Sequence, residues 1–318
     1  MLRRPAWLAL LVGAAVLFTP WTSSPRSAMA QAGVTDADLD EASGKHVVNV
    51  GTPSNGRVVR VPLETYVARV IAGEAEPAAP DAAQQALAIA IRTFAIVNLR
   101  RHAKEGFDLC DTTHCQVPRA STPATRQAAL VTAGRVLVYK GAPAVVFYSA
   151  NCGGRSESAD EVWPGINLPY LRPVDDDVHG DDVPWTLDLT LERIQSALQT
   201  AGFSGERLKG LTIDDRNASG RVSRLRLDGL QPNMITGSAF RTAVGPATLR
   251  STAFTIEGNG GVVRFTGRGY GHGVGMCAVG AARRARRGET AEAILSVYYP
   301  GLQIVGLSDI VPVAADRP

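Results

Sequence analysis

The stretch from Pro80 to about His102 constrains this chain more than any other segment. Ala86, Leu87, Ala90, Ile91, Phe94 and Val97 recur there at helical spacing, with neither glycine nor proline between them, which predicts one long helix opening at Pro80-Asp81. The helix is apolar nearly all round, so other elements must wrap it on every side. Arg92 is the exception. A charge inside such a helix needs a carboxylate or hydrogen-bonding partner, and Arg92 is either half of a structural ion pair or a contact for substrate.

The pattern around that helix is mixed. His46 to Val50 and Arg57 to Val61 are β-rich and flank the turn cluster Pro53-Ser54-Asn55-Gly56, which predicts a hairpin. Pro62 opens a helix whose Leu63, Tyr66, Val67, Val70 and Ile71 share one face, before Gly73, Glu74 and Pro77 close it. Further helices are expected near Pro123 to Ala133, Leu191 to Ala201, Met276 to Arg287 and Ala291 to Tyr298. Strands are expected at Arg135 to Tyr139, Ala144 to Ser149, near Leu211, and at Val222 to Leu227, Phe254 to Glu257 and Val262 to Thr266. Gly153 to Trp185 reads as loop. No fixed-period repeat and no regular βαβ alternation appear, so the fold class is α+β: a single mixed domain over 45–310, or two interleaved lobes, with a glycine-rich loop beside a cleft.

The N-terminus bears on location. Arg3 and Arg4 precede an apolar run from Ala6 to Phe18, and Ala28-Met29-Ala30 precedes Gln31, the pattern of a cleavable signal peptide over 1–30. The apolar run falls short of the roughly 20 residues that a membrane span needs. The expected location is therefore exported: periplasm, extracellular space or cell wall. Residues 31–44, polar and acidic, read as a flexible leader, and 311–318 as a tail. No stable membrane span is expected after cleavage, since the nearest later candidate, Ala82 to Leu99, carries Gln84, Gln85, Arg92 and Asn98. With 33 basic and 30 acidic side chains, the charge does not point to nucleic acid.

Several constellations could carry chemistry. Cys110, His114 and Cys115 lie within six residues, and soft sulfur and nitrogen donors at short range suit zinc, with His102 the nearest fourth ligand. A local Cys110–Cys115 disulfide, leaving Cys152 and Cys277 as a second pair, is the open alternative in an oxidising compartment. From Gly267 to Gly275 glycine occupies every second position, which brings backbone against a ligand or makes a tight strand-to-helix turn; it is no nucleotide loop. Ser149 or Cys152 with His272 would make a hydrolase, but neither sits in a Gly-x-Ser-x-Gly elbow. Arg283, Arg284, Arg286 and Arg287 read as a solvated helix face.

Six segments stand out in order: Val61-Pro62-Leu63-Glu64-Thr65-Tyr66-Val67 through Gly73-Glu74; Gln85-Ala86-Leu87 through Ala90-Ile91-Arg92-Thr93-Phe94-Ala95; His114-Cys115-Gln116; Tyr148-Ser149-Ala150-Asn151-Cys152-Gly153-Gly154; Pro169-Tyr170-Leu171; and Gly269-Tyr270-Gly271-His272-Gly273-Val274-Gly275-Met276. Taken together, they resemble the SpoIID/LytB domain of bacterial sporulation and cell-wall proteins. The resemblance implies a lytic transglycosylase that cuts the MurNAc–GlcNAc bond of peptide-free peptidoglycan strands and leaves 1,6-anhydromuramic ends, with Glu74 as acid and then base. It also implies substrate contacts at Arg92, Gln116, Tyr170, Arg172 and His272, and a structural zinc on the Cys/His cluster. Some relatives of this kind instead enhance an N-acetylmuramoyl-L-alanine amidase without catalysis, which is the rival expectation. Three places depart from the pattern: Arg172 stands where lysine is commoner, Ala75-Glu76-Pro77 follows Glu74 where Met-Pro is commoner, and Cys277 stands where serine often does. Glu76 is thus a local competitor for the acid role, and pairing of Glu74 with Arg92 would spoil it as an acid.

Overall fold

The protein is described by a computed structural model over residues 33–176, 183–259 and 261–310; the expected signal peptide and tail lie outside the described residues. Helix α1 (Asp36–Ser43) leads into the antiparallel hairpin β1 (Val47–Thr52) and β2 (Arg57–Pro62), then α2 (Leu63–Glu74) and α3 (Asp81–Val97). Strand β3 (Leu109–Cys110) runs parallel to β1, and α4 (Pro123–Val131) precedes β4 (Arg135–Tyr139), β5 (Ala142–Pro143) and β6 (Tyr148–Ser149). After the short α5 (Ala159–Val162) come β7 (Trp185–Thr190), α6 (Leu191–Thr200), β8 (Gly210–Arg216), β9 (Val222–Asp228), β10 (Met234–Thr236) and α7 (Gly237–Val244). The chain ends through β11 (Phe254–Asn259), β12 (Val262–Gly267), β13 (Met276–Cys277), α8 (Ala278–Arg286), α9 (Ala291–Tyr298) and β14 (Gln303–Gly306). The class is α+β, with several small sheets and, among the described residues, no barrel.

Helix α3 is central, as its composition requires. Every residue from Ala86 to Ala95 is buried, and the helix packs against α2, α4, α8, α9 and β4. Its alanines let those neighbours approach closely on all sides. No helix among the described residues is long and apolar enough to cross a membrane.

Two hydrophobic cores form. The first joins residues from Leu39 to Leu171 with residues from Val274 to Tyr299; the second is drawn entirely from Trp185 to Phe265. The second lobe is therefore an insertion between two parts of the first, and its β7, β10 and α7 are elements that the sequence reading does not anticipate.

Two expectations are corrected. Residues 36–43 belong to the fold rather than to a flexible leader: Thr35 and Asp38 form a reciprocal capping box, and Leu39 is wholly buried. Arg92 is not a substrate contact. Its guanidinium is 0% exposed and pairs with Glu64, itself 1% exposed, with Nε 2.9 Å from Oε1. Arg92 also donates to the Arg135 carbonyl at 2.9 Å, and Glu64 accepts the Gly134 N–H at 3.1 Å, so the pair ties α2 and α3 to the turn before β4.

Removing one partner of such a pair strands a buried charge. Arg92→Met is expected to lower unfolding free energy by about 3–5 kcal/mol, and adding Glu64→Leu should recover much of the loss. Urea denaturation of the two variants checks this; equal stability of Arg92→Met and wild type would contradict it.

Candidate functional site

Glu74 is the last residue of α2, and its Oε1 accepts the Val117 N–H at 3.0 Å. Gly73 permits that approach, because a Cβ there would lie 1.9 Å from the Val117 carbonyl oxygen. Burial pushes the Glu74 carboxyl above its ordinary value, against the opposing effects of the Val117 N–H and of Arg119. The negative end of the α2 dipole acts in the same direction as burial. Arg92 is occupied by Glu64 and leaves Glu74 alone. The competitor Glu76 pairs with Arg286 at 3.0 Å.

A chain of neutral donors adjoins Glu74. The Tyr66 hydroxyl donates to Gln116 Oε1 at 2.9 Å, and Gln116 Nε2 donates to the Tyr148 hydroxyl at 2.8 Å. Burial, with the charge of Glu74 contributing, pushes both phenols well above their usual range. Gln116 is 1% exposed and joins the two phenols, where the sequence leads one to expect a substrate contact. Tyr66 escapes the sequence reading because its helical spacing marks it only as core; Tyr148 lies in a recognised motif, but its hydroxyl's neighbours are remote in sequence.

The glycine-rich segment joins β12 to β13. Gly269, Gly271, Gly273 and Gly275 all adopt positive φ, between 72° and 107°, which side chains resist. A Cβ on Gly275 would sit 1.9 Å from the Phe147 carbonyl oxygen, and one on Gly273 would sit 2.4 Å from the Arg221 guanidinium. These glycines thus press the loop onto the protein's own Phe147 and Arg221. Tyr270 and Asn151 exchange backbone hydrogen bonds at 2.8 and 3.1 Å, and β13 runs parallel to β6.

His272 lies half-buried beside Trp163, with ring centroids 5.0 Å apart, and its Nδ1 accepts the Val274 N–H at 3.0 Å. Burial, helped by Arg241 and Arg221, lowers its pKa to about 3, so the imidazole is uncharged near pH 7 and only weakly basic. The Tyr148 backbone hydrogen-bonds the same ring. Tyr148 is therefore shared: its phenol responds to Glu74 and its backbone meets His272. A Cys152–His272 dyad does not form, because Cys152 Sγ faces Asp176 Oδ2 at 3.6 Å.

Tyr170 is 2% exposed and packs on Tyr139 with centroids 4.9 Å apart, so its ring supports the wall instead of meeting a ligand. Arg172 is exposed and lines a cavity of about 300 Å³ with Glu157, Asp160, Glu161 and Asn167; Glu74 is not among the lining residues. The arginines of α8 are only partly a solvated face, since Arg284 approaches Glu289 at 3.3 Å and Asp176 at 3.9 Å. Tyr270, 48% exposed on the glycine-rich loop, is a further aromatic surface, which the sequence does not single out as a contact.

The donor atoms of His102, Cys110, His114 and Cys115 all lie within 4.8 Å of one another. Cys115 Sγ is 3.3 Å from His102 Nε2 and 3.6 Å from His114 Nδ1, and Cys110 Sγ is 3.7 Å from His114 Nδ1. All four cysteines of the chain are unbonded thiols in this structure. The next two residues, Gln116 and Val117, are those that hold Tyr148 and Glu74.

Residues 53–139 match the family model described as Stage II sporulation protein (SpoIID), and residues 179–275 match one described as a domain of unknown function. An uncharacterized protein of Brachyspira hyodysenteriae is 33% identical over 76% of this chain and 66% of its own length. The Stage II sporulation protein D of Bacillus subtilis is 27% identical over 79% of this chain and 76% of its own. An amidase enhancer of Bacillus subtilis is 28% identical over 69% of this chain, which spans 37% of that protein.

Glu74 also has a signature in stability. A carboxyl whose folded pKa exceeds its unfolded value binds its proton more tightly when folded, so the wild type loses stability as pH rises from the unfolded value, about 4.3, through the folded one. Glu74→Gln keeps an acceptor for Val117 and removes the charge. The variant should be more stable than wild type near neutral pH, with the advantage vanishing toward about pH 4. Urea midpoints at the two pH values measure this, and a variant less stable at neutral pH would contradict it.

Proposed function

We propose that this chain, which carries a domain of the SpoIID family, cleaves the MurNAc–GlcNAc bond of peptide-free peptidoglycan strands as a lytic transglycosylase. The observation that carries the reading is the half-buried carboxyl of Glu74, with a raised pKa and, among the described residues, no cationic partner at bonding distance. A raised pKa favours the form in which a general acid holds its proton. Glu74 donates it to the glycosidic oxygen as the bond to the muramic C1 breaks. The muramic C6 hydroxyl attacks C1, and its proton returns to the Glu74 carboxylate. Attack by a hydroxyl of the substrate itself dispenses with the second carboxylate that a hydrolase uses to activate water, in keeping with Glu64 and Glu76 both being held by arginines. Tyr148 and His272, neutral and fixed by their neighbours, line the approach and orient the sugar. The work is done outside the cytoplasm, on the cell wall.

The Cys/His cluster fits a structural zinc. Zn–S bonds of about 2.3 Å and Zn–N bonds of about 2.0 Å put tetrahedral S···N edges near ~3.6 Å, beside observed separations of 3.3 to 3.7 Å. When bound, zinc would neutralise the thiolates of Cys110 and Cys115 and pin the loop that leads into Gln116 and Val117. One zinc per chain is expected by elemental analysis, lost in Cys115→Ser, and chelation should lower the thermal midpoint; a chain that binds no zinc would refute the site.

A second reading rests on the likeness to an amidase enhancer: a wall-binding protein that stimulates a separate amidase. The purified chain, incubated alone with peptide-free strands, separates the two. Transglycosylase activity should release 1,6-anhydromuramic ends by mass spectrometry, with Glu74→Gln reduced by about 10²-fold or more and Glu76→Gln near wild type. Reducing ends carrying oxygen from labelled water would mean hydrolysis. Absence of cutting, with stimulation of an added amidase, would establish the enhancer.

A further inference from the structure

Beneath the glycine-rich loop, Cys152 and Cys277 meet in the first core, at 2% and 1% exposure. They are 125 residues apart in sequence, yet Cys277 Sγ accepts the Cys152 N–H at 3.2 Å. Cys277 also caps α8, accepting the Gly280 N–H at 3.3 Å. The register of β6 beside β13 sets Cys277 opposite Ser149 and brings both backbones to this point. Asp176 completes the cluster: its Oδ2 is 3.6 Å from Cys152 Sγ and accepts the Tyr298 hydroxyl at 2.7 Å. The two sulfurs and the carboxylate lie within 4.8 Å of one another.

We propose that Cys152 and Cys277 are joined by a disulfide in the working protein. The surroundings suit a bonded sulfur. Cys277 Sγ acts as acceptor to two backbone N–H groups, a role that needs no thiol proton. Asp176 retains the Tyr298 hydroxyl and the nearby Arg284 guanidinium when the Cys152 proton is lost. A metal ion suits the cluster less well. It would have three protein ligands where structural zinc takes four, and it would lie near the buried cation Arg221, which donates to the Cys152 carbonyl at 2.6 Å. Formation consumes an exchangeable disulfide, such as that of an oxidised thiol oxidoreductase or glutathione disulfide. One thiolate attacks it to give a mixed disulfide, and the other displaces the carrier thiol. Two thiols are thereby oxidised to the bond, and the carrier disulfide is reduced to two thiols. The bond would fasten the strand bearing Tyr148 to the end of the loop bearing His272.

The test uses the purified full chain, loaded with zinc and incubated with glutathione disulfide, then denatured with chelator and alkylated with N-ethylmaleimide without reductant. A cross-linked peptide pair containing Cys152 and Cys277 is expected by mass spectrometry, and prior reduction should instead yield maleimide on both. Cys277→Ser should free Cys152 for alkylation, and the thermal midpoint should fall on reduction in wild type but not in this variant. Maleimide on Cys152 and Cys277 without reduction would overturn the proposal, as would a second zinc equivalent that persists in Cys115→Ser. The cross-linked peptide is read independently of what Cys110 and Cys115 hold and of whether the chain cuts glycan.

Discussion

The buried pair of Arg92 and Glu64 is the constraint on which the site depends. A guanidinium in an otherwise apolar helix has one position in which its charge is met, and here that position fixes α3 against α2 and the turn before β4. Such a pair contributes little net stability relative to apolar residues of the same shape, yet it penalises any register that separates its members. By satisfying Arg92 with Glu64, at the start of α2, the fold leaves Glu74, at the end of the same helix, without a strong counter-charge. One helix thus carries a spent carboxylate and an available one.

Legibility in the sequence followed the strength of local signals. The all-round apolar pattern of α3 and the one-sided pattern of α2 were sufficient to place both, because periodicity over several turns outweighs local ambiguity. Helix α1 carries one deeply buried apolar residue, Leu39, too little to form a period, and only its capping box marks it. Strand β10 is three residues long, and strands so short acquire their identity from the neighbour they pair with. The alternation of glycines was visible, but its use was not: the surfaces that Gly273 and Gly275 press against, Arg221 and Phe147, lie far away in the chain.

The site shows the same division. Glu74 is singled out through the resemblance of its segment to the SpoIID/LytB domain, and the metal-ligating types of Cys110, His114 and Cys115 by their spacing. The surroundings of Gln116, Tyr170 and Arg92 depend on burial, which no single position reveals; each lies buried against neighbours remote in sequence. Cys115, Gln116 and Val117 are consecutive, and they serve in turn the Cys/His cluster, the Tyr148 phenol and the Glu74 carboxylate. Three functions on one extended segment mean that a shift of that segment disturbs all three together.

The insertion of the second lobe has a consequence for how the molecule assembles. Helix α3 is covered partly by α8 and α9, which follow the insertion, so its apolar surface stays uncovered until almost the whole chain is available. Contacts of such long sequence separation form slowly, because the loop between them must close first. The second lobe, whose core is contiguous in sequence, can form within that loop and shorten its effective length. Closure of the first core would then be the last event in folding, and the glycine-rich loop, lying between the insertion and α8, would take its place beside Tyr148 only at that moment.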